Sequence, residues 1–322
     1  MNNGNQEEEM MNHLSSFLSR KGMGNPIYLE RIRNHVHYMR TAEGETFILK
    51  RHTNRDRVLQ QWDFFDRQSS PVVVPFQRFP NQKPFLYVDG YYWTISPYIA
   101  GKKLHYKKDA DRKAALHALQ SFHSDTQGVQ IQHEVHTTMF YIRWHKRLQL
   151  FEQTGHLFWK HGYHSMYKSI TKTARNYLHY LSSFSFWNRL ERIAKQNGVW
   201  IHGDVASHNF IRQSEKVYMI DFDLLSCAPH LHDYIQLGQR FLPYLDWDLN
   251  RLLSYDMVKE EHIRLWLCAI SVPSDVIREW LHYLSSHKPR PIPDYLESME
   301  KDWIKRQTFL KNVQRMIRSI QY

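Results

Sequence analysis

Two periodicities divide the chain. Up to about residue 98, apolar positions alternate or gather in short β-branched and aromatic runs; beyond it they recur every three to four residues. Val36–Met39 and Thr46–Lys50 flank Thr41-Ala42-Glu43-Gly44-Glu45, a pattern that predicts two strands and a hairpin turn. Val72–Val74, Pro84–Val88 and Tyr91–Ile95 read as further strands, with Asp89-Gly90 as the turn between the last two. Between them, Val58, Leu59, Trp62 and Phe65 put an apolar stripe on a helix over Arg55–Arg67. Downstream, helices are expected over Asp109–Asp125, Met139–Leu150, Tyr163–Leu181, Phe186–Gln196, Asp233–Phe241, Asp248–Tyr255, Glu260–Leu267 and Asp275–Ser285. A proline-rich break at Pro289, Pro291 and Pro293 precedes a basic helix from about Tyr295 to Ile320. The first residues are polar and then amphipathic, with Leu14, Phe17 and Leu18 at helical spacing. The organisation predicted is an N-terminal extension with a helix over residues 1–26, a β-rich lobe over 27–98 and a helical lobe over 99–322.

Composition narrows the class. The chain has 322 residues, 42% of them hydrophobic, enough for a substantial core. Its two cysteines, Cys227 and Cys268, supply neither a disulfide framework nor a four-thiolate metal site. The N-terminus has no signal-peptide pattern and no apolar stretch reaches membrane-spanning length, so a cytoplasmic protein is expected. The net charge of +11 is scattered; its densest cluster, Lys102 to Lys108, comes with no nucleic-acid-binding signature, and nucleic acid is not the expected partner. His133-Glu134-Val135-His136 lacks the i, i+4 spacing of a zinc-protease pair.

The chemistry concentrates in one segment. Trp200-Ile201-His202-Gly203-Asp204 is followed by Asn209 and then by Tyr218-Met219-Ile220-Asp221-Phe222-Asp223. A carboxylate, an amide five residues on, and a second carboxylate closing an apolar run form the set that phosphoryl transfer uses. Asp204 is the candidate base that orients a hydroxyl, Asn209 and Asp221 are candidate oxygen ligands for Mg²⁺, and Asp223 is a further candidate for a second ion. His202 and Gly203 read as structural parts of the loop. Lys50, closing a strand ahead of a helix, is the candidate partner of nucleotide phosphates. Ser96 and Tyr98, at the junction of the two textures, would offer backbone groups to an adenine edge. Two parts are missing. The helix after Lys50 carries Gln60 and Gln61 where a glutamate would pair with the lysine, and Leu29–Val36 has no glycine to bring backbone amides onto phosphates.

Together these residues resemble the aminoglycoside phosphotransferase-like branch of the protein-kinase-like fold. Phe47–Lys50, Leu86–Trp93 running into Ile99-Ala100-Gly101, and Leu116–His123 carry the resemblance, as do His202–Asn209, Ile220–Asp223, Pro229 and Asp233-Tyr234. Within that branch the chain is similar to the spore-coat-associated kinase-like proteins of endospore-forming bacteria. The resemblance implies an α+β, bilobal fold with a small β-rich lobe and a large helical lobe. It also implies ATP and Mg²⁺ as cofactors, and transfer to a hydroxyl of a small molecule, sugar or spore-coat component. Its partners would be a nucleotide, a hydroxyl acceptor and other coat proteins. The missing glycines and glutamate carry the alternative expectation, a kinase-like assembly protein of the coat with impaired catalysis.

Overall fold

The computed structural model of the chain describes residues 26–183, 186–286 and 290–320. The amphipathic segment expected before Pro26, and Pro289 of the proline-rich break, lie outside the described residues. In chain order the elements are β1 (Pro26–Arg33), β2 (Val36–Thr41), β3 (Thr46–His52), α1 (Arg55–Arg67), β4 (Leu86–Val88), β5 (Tyr91–Pro97) and β6 (Lys102–Lys103). Next come α2 (Asp109–Asp125), α3 (Phe140–Glu152), α4 (Gly155–Lys160), α5 (His164–Ser183), α6 (Phe186–Gln196) and β7 (Trp200–Ile201). After a 3₁₀ turn, Ser207–Asn209, follow β8 (Phe210–Gln213), β9 (Lys216–Met219) and β10 (Ser226–Cys227). The chain then runs through α7 (Leu231–Phe241), α8 (Leu249–Leu253), α9 (Glu260–Ser271), α10 (Ser274–Ser285) and α11 (Ile292–Ser319). The predicted helix bounds are met within a few residues; α4 falls between two predicted helices and was not expected.

The chain forms two compact units that are not consecutive in sequence. One takes residues up to Leu104 together with His117–Val135 and Ser207–Leu225; the other takes His105–Leu116, His136–Ala206 and the chain from Ser226. Segment 207–225, assigned above to the helical lobe by its place in the chain, therefore packs with the β-rich part.

In the first unit, β1–β5 make an antiparallel sheet in the order β1-β2-β3-β5-β4. The two-residue period sorts its faces. Met39, Leu49, Trp93 and Ile95 point to one side and join Phe79, Leu86 and Val88 in a buried cluster. Ile48 and Lys50, one residue out of phase with Leu49, point to the other. Asp89 and Gly90 both take positive φ (51° and 80°), as the predicted two-residue turn requires. The Asn54 side chain caps α1 by accepting from the Arg57 amide at 3.0 Å, and the helix buries Val58, Gln60, Gln61, Trp62, Phe64 and Phe65.

Side-chain bonds explain why 207–225 joins this unit. Gln60 donates to the Leu225 carbonyl at 2.6 Å and accepts from the Val135 amide at 2.6 Å. Phe65 packs edge-on against Phe222. Val72–Val74 does not become the strand expected of it. Its apolar run makes only a parallel bridge to β9, through the Met219 amide to Val72 and the Val74 amide to Met219. His133–His136 is likewise structural where described contacts reach it: the His133 ring and amide bind Asp63.

β6 pairs with β8, and Gly101 sits at the point of closest approach. A β-carbon there would lie 2.4 Å from the Arg212 carbonyl oxygen and 2.6 Å from Ile211 Cγ2. Because the obstacle includes backbone, Gly101→Ala is expected to destabilise the protein by about 1–3 kcal/mol, read as a lower urea midpoint at unchanged m-value.

The second unit is helical. Gly238 of α7 leaves room for Trp266 of α9, whose indole donates to the Tyr234 carbonyl at 3.0 Å. The basic helix α11 buries Leu296, Met299, Trp303, Phe309, Leu310 and Val313 on one face. Arg306 is buried with them, bonded to Asp275 at 2.6 Å and lying 4.1 Å over the Trp247 ring. Both cysteines are buried free thiols. Among the described residues no helix is long and apolar enough to cross a membrane.

Candidate active site

The first unit holds a cavity of about 330 Å³ on the face of the sheet opposite its apolar cluster. Lys50, Ser96, Tyr98, Asn209 and Asp221, all singled out from the sequence, line it. Lys50 arrives from β3, one of the interior strands, with Val36 and Thr94 as its register partners. β3 runs on to His52 rather than ending at the lysine. Asn209 is 1% exposed at the end of the 3₁₀ turn, and its carbonyl accepts from the Ile220 amide at 3.0 Å. That bond ties the amide residue to the segment carrying Asp221. Asp221 has φ of +67°, a left-handed conformation that costs a non-glycine residue about 1 kcal/mol or more.

Lys50 lies 2.5 Å from Asp221 Oδ1 and 2.7 Å from Asp223 Oδ2. Burial opposes its charge, but the two carboxylates outweigh burial and raise its pKa. The missing helix glutamate is thereby explained in structural terms. α1 turns Gln61 toward the cavity, and the lysine takes its counter-charges from the Asp221-Phe222-Asp223 segment. Asp223 itself lies outside this cavity and lines a neighbouring one. His52, 3.9 Å from Asp223, is held near pKa 4 mainly by burial and is a neutral neighbour at pH 7.

The glycine-free β1–β2 turn is fixed by side chains. Arg31 donates to the Asn34 side chain, while Arg51 donates to the Asn34 carbonyl and meets His35 Nδ1 at 2.9 Å. Arg33 lines the cavity from this turn. Tyr98 uses its amide to reach the Thr46 carbonyl at 3.1 Å, so that group is engaged within the sheet.

Asp204 belongs to the second unit. β7, paired with β10, leads into its loop, and α7 holds that loop residue by residue. Asp233, 0% exposed, accepts the His202 amide at 2.8 Å and the Gly203 amide at 2.9 Å. Gln236 donates to the Gly203 carbonyl at 2.9 Å, and Arg240 reaches Asp204 Oδ1 at 2.6 Å. Gly203 needs its positive φ of 82° to present both groups. His202, 1% exposed, accepts the Asp204 amide through Nδ1 at 3.2 Å, the structural part expected of it. Tyr106 closes the loop from below by donating to the Val205 carbonyl at 2.8 Å.

Gln236 and Arg240 were missed in the sequence. Their signal was present, since residues 233, 236 and 240 share one helical face.

The donor set fits a hard divalent cation. Asn209 and Asp221 bring an amide and a carboxylate oxygen to one cavity that, among the described residues, no cysteine or methionine lines. Among the described residues no group of three or more His, Cys, Asp or Glu is arranged to hold a metal alone. An ion here would need phosphate oxygens or water to complete its shell.

A model of the phosphotransferase enzyme family matches residues 31–248 of the chain. No curated protein sequence matches it. Solved structures similar to it include an aminoglycoside phosphotransferase from Alicyclobacillus acidocaldarius subsp. acidocaldarius DSM 446, with TM-score 0.68 and 15% identity over 92% of this chain and 93% of that one. A spectinomycin phosphotransferase in complex with ADP and spectinomycin follows at TM-score 0.59 and 13% identity, covering 90% and 92%. An amicoumacin kinase in complex with AMP-PNP, Ca²⁺ and Ami gives TM-score 0.60 and 13% identity, covering 89% and 88%.

Proposed function

The chain belongs to the phosphotransferase enzyme family and has the α+β protein-kinase-like fold, with a small β-rich lobe and a larger helical one, and from that premise we propose that it transfers the terminal phosphate of ATP to a hydroxyl of a small molecule or sugar. One observation carries the reading: Lys50, Asn209 and Asp221, distant in sequence, line a single cavity. Val36, Ile48, Ile211 and Ile220 give that cavity apolar walls suited to a purine, with the backbone of Ser96–Tyr98 at its edge. Lys50 steadies the phosphates, and Asp204, held by Arg240, orients the acceptor hydroxyl and takes up its proton. Asn209 and Asp221, with Asp223 as a further ligand, would hold Mg²⁺, which when bound neutralises charge on the phosphate oxygens.

The acceptor class follows from charge. The similar structures include enzymes of aminoglycosides and spectinomycin. A polycationic acceptor calls for an acidic pocket, whereas this chain carries +11 and sets an arginine against Asp204. A neutral or anionic acceptor suits it better. A spore-coat setting is part of the proposal on the strength of the sequence resemblance.

A second reading, a coat assembly protein that has lost turnover, is favoured by specific observations: the glycine-free β1–β2 turn and Gln61 in the glutamate's place. Calorimetric titration of ATP with and without Mg²⁺, on the wild type and on Asp221→Ala, separates the two. The enzyme reading expects Mg²⁺-dependent binding, weakened by about tenfold or more in the variant through loss of a charged ligand. Wild-type protein that binds no ATP would leave the assembly reading standing.

A further inference from the structure

Beside the nucleotide-type cavity, the first unit has a second one of about 260 Å³. The Lys50–Asp223 ion pair stands between the two: Lys50 lines the first cavity and Asp223 the second. Its walls are cationic or nitrogen-bearing, with Arg51 and His52 from the end of β3, His35 from the β1–β2 turn, and Arg57 from the first turn of α1. Asp223 is the acidic member, and its charge is already met by Lys50 at 2.7 Å.

Arg57 is the decisive residue. It is half-buried and donates to the Leu225 carbonyl at 3.2 Å, yet it makes no ion pair among the described residues. A guanidinium has five donors, and one withdrawn from water without a counter-ion is unfavourable. Burial lowers its pKa despite the attraction of Asp223. Arg51 also lines the cavity; its guanidinium meets His35 Nδ1 at 2.9 Å and lies 4.2 Å over the Tyr91 ring. Two arginines lining one small cavity suit a phosphate-type oxyanion, which accepts charge-assisted bonds from guanidinium N–H groups.

We propose that this second cavity is an anion site for a phosphate-bearing group separate from the nucleotide's own phosphates, with Arg57 and Arg51 as its principal ligands. The group belongs either to the acceptor or to a free anion acting beside it. The site does not depend on the phosphotransferase reading, because it can be loaded in the absence of nucleotide.

Inorganic phosphate titrated into the full chain, followed by ³¹P line broadening, tests it. Binding is expected in ATP-free protein and is expected to persist when ATP and Mg²⁺ are saturating. Arg57→Gln should weaken it by about tenfold or more, the worth of one charge-assisted hydrogen bond, while Arg57→Lys retains most of it. Three results would overturn the proposal: no phosphate binding by the wild type, equal binding by Arg57→Gln, or displacement by ATP. The last would place phosphate in the nucleotide's cavity. Thermal midpoints show whether the variants fold, and Arg51→Gln carries the same expectations should Arg57→Gln not fold. Failure of ATP to bind at all would sink the phosphotransferase reading and leave the phosphate titration still decisive. Phosphate that broadens in the wild type together with a phosphorylated acceptor competing for it identifies the acceptor as the source; no such competition identifies a free anion.

Discussion

Asp204→Asn is expected to lower the rate of phosphate transfer by about 10²–10⁴-fold, the usual contribution of a positioned base, and to leave ATP affinity within about twofold. The substitution keeps size and shape, so Arg240 can still donate to the side-chain oxygen it now meets at 2.6 Å. What is removed is the negative charge that takes up the acceptor's proton. ADP production with water as acceptor, alongside calorimetric ATP binding, reads both quantities. A rate within a few-fold of wild type would remove Asp204 from the chemistry. A parallel fall in ATP affinity would make it a structural residue of the loop.

Asp233→Ala is expected to destabilise the protein by about 2–6 kcal/mol, because one buried carboxylate accepts two backbone amides and each abandoned buried donor costs about 1–3 kcal/mol. The side chain is fully buried, and water does not replace it without opening the packing of α7. Against a typical stability of about 5–15 kcal/mol, this is a large share. Asp233→Asn keeps one acceptor oxygen and should lose about half as much. Urea unfolding measures both. Because Asp233 holds the backbone of His202 and Gly203, the folded fraction of either variant should also lose transfer rate with little loss of ATP affinity. A stable, fully active Asp233→Ala would show that the loop adjoining Asp204 keeps its shape without this anchor.

The two predictions bear on residues of different legibility. Asp204 was readable from its own neighbourhood, as the glycine before it and the amide five residues on leave few other chemistries. Asp233 entered only as part of a resemblance. Its task depends on which backbone amides α7 meets, thirty residues away in the chain. The Val72–Val74 run shows the converse. Its β-branched residues have strand character, but strand pairing needs a partner edge along its length, and β9 meets it at a single bridge.

Lys50 marks the boundary most clearly. Its place on an apolar strand ahead of a helix was legible, and so was the absence of a helix glutamate. The sequence alone therefore left it without a counter-charge. The tertiary structure supplies Asp221, 171 residues away, together with Asp223. Periodicity, turn chemistry and motif spacing act among residues within a few positions of one another, and from these the sequence by itself determined most of the elements, their sorting into a β-rich and a helical part, and Asp204, Asn209 and Asp221 as candidates. Ion pairs, cavities and buried anchors act through space, so only the tertiary structure decided which carboxylates Lys50 meets, that α7 holds the Asp204 loop, and that Arg51 and Arg57 share a cavity.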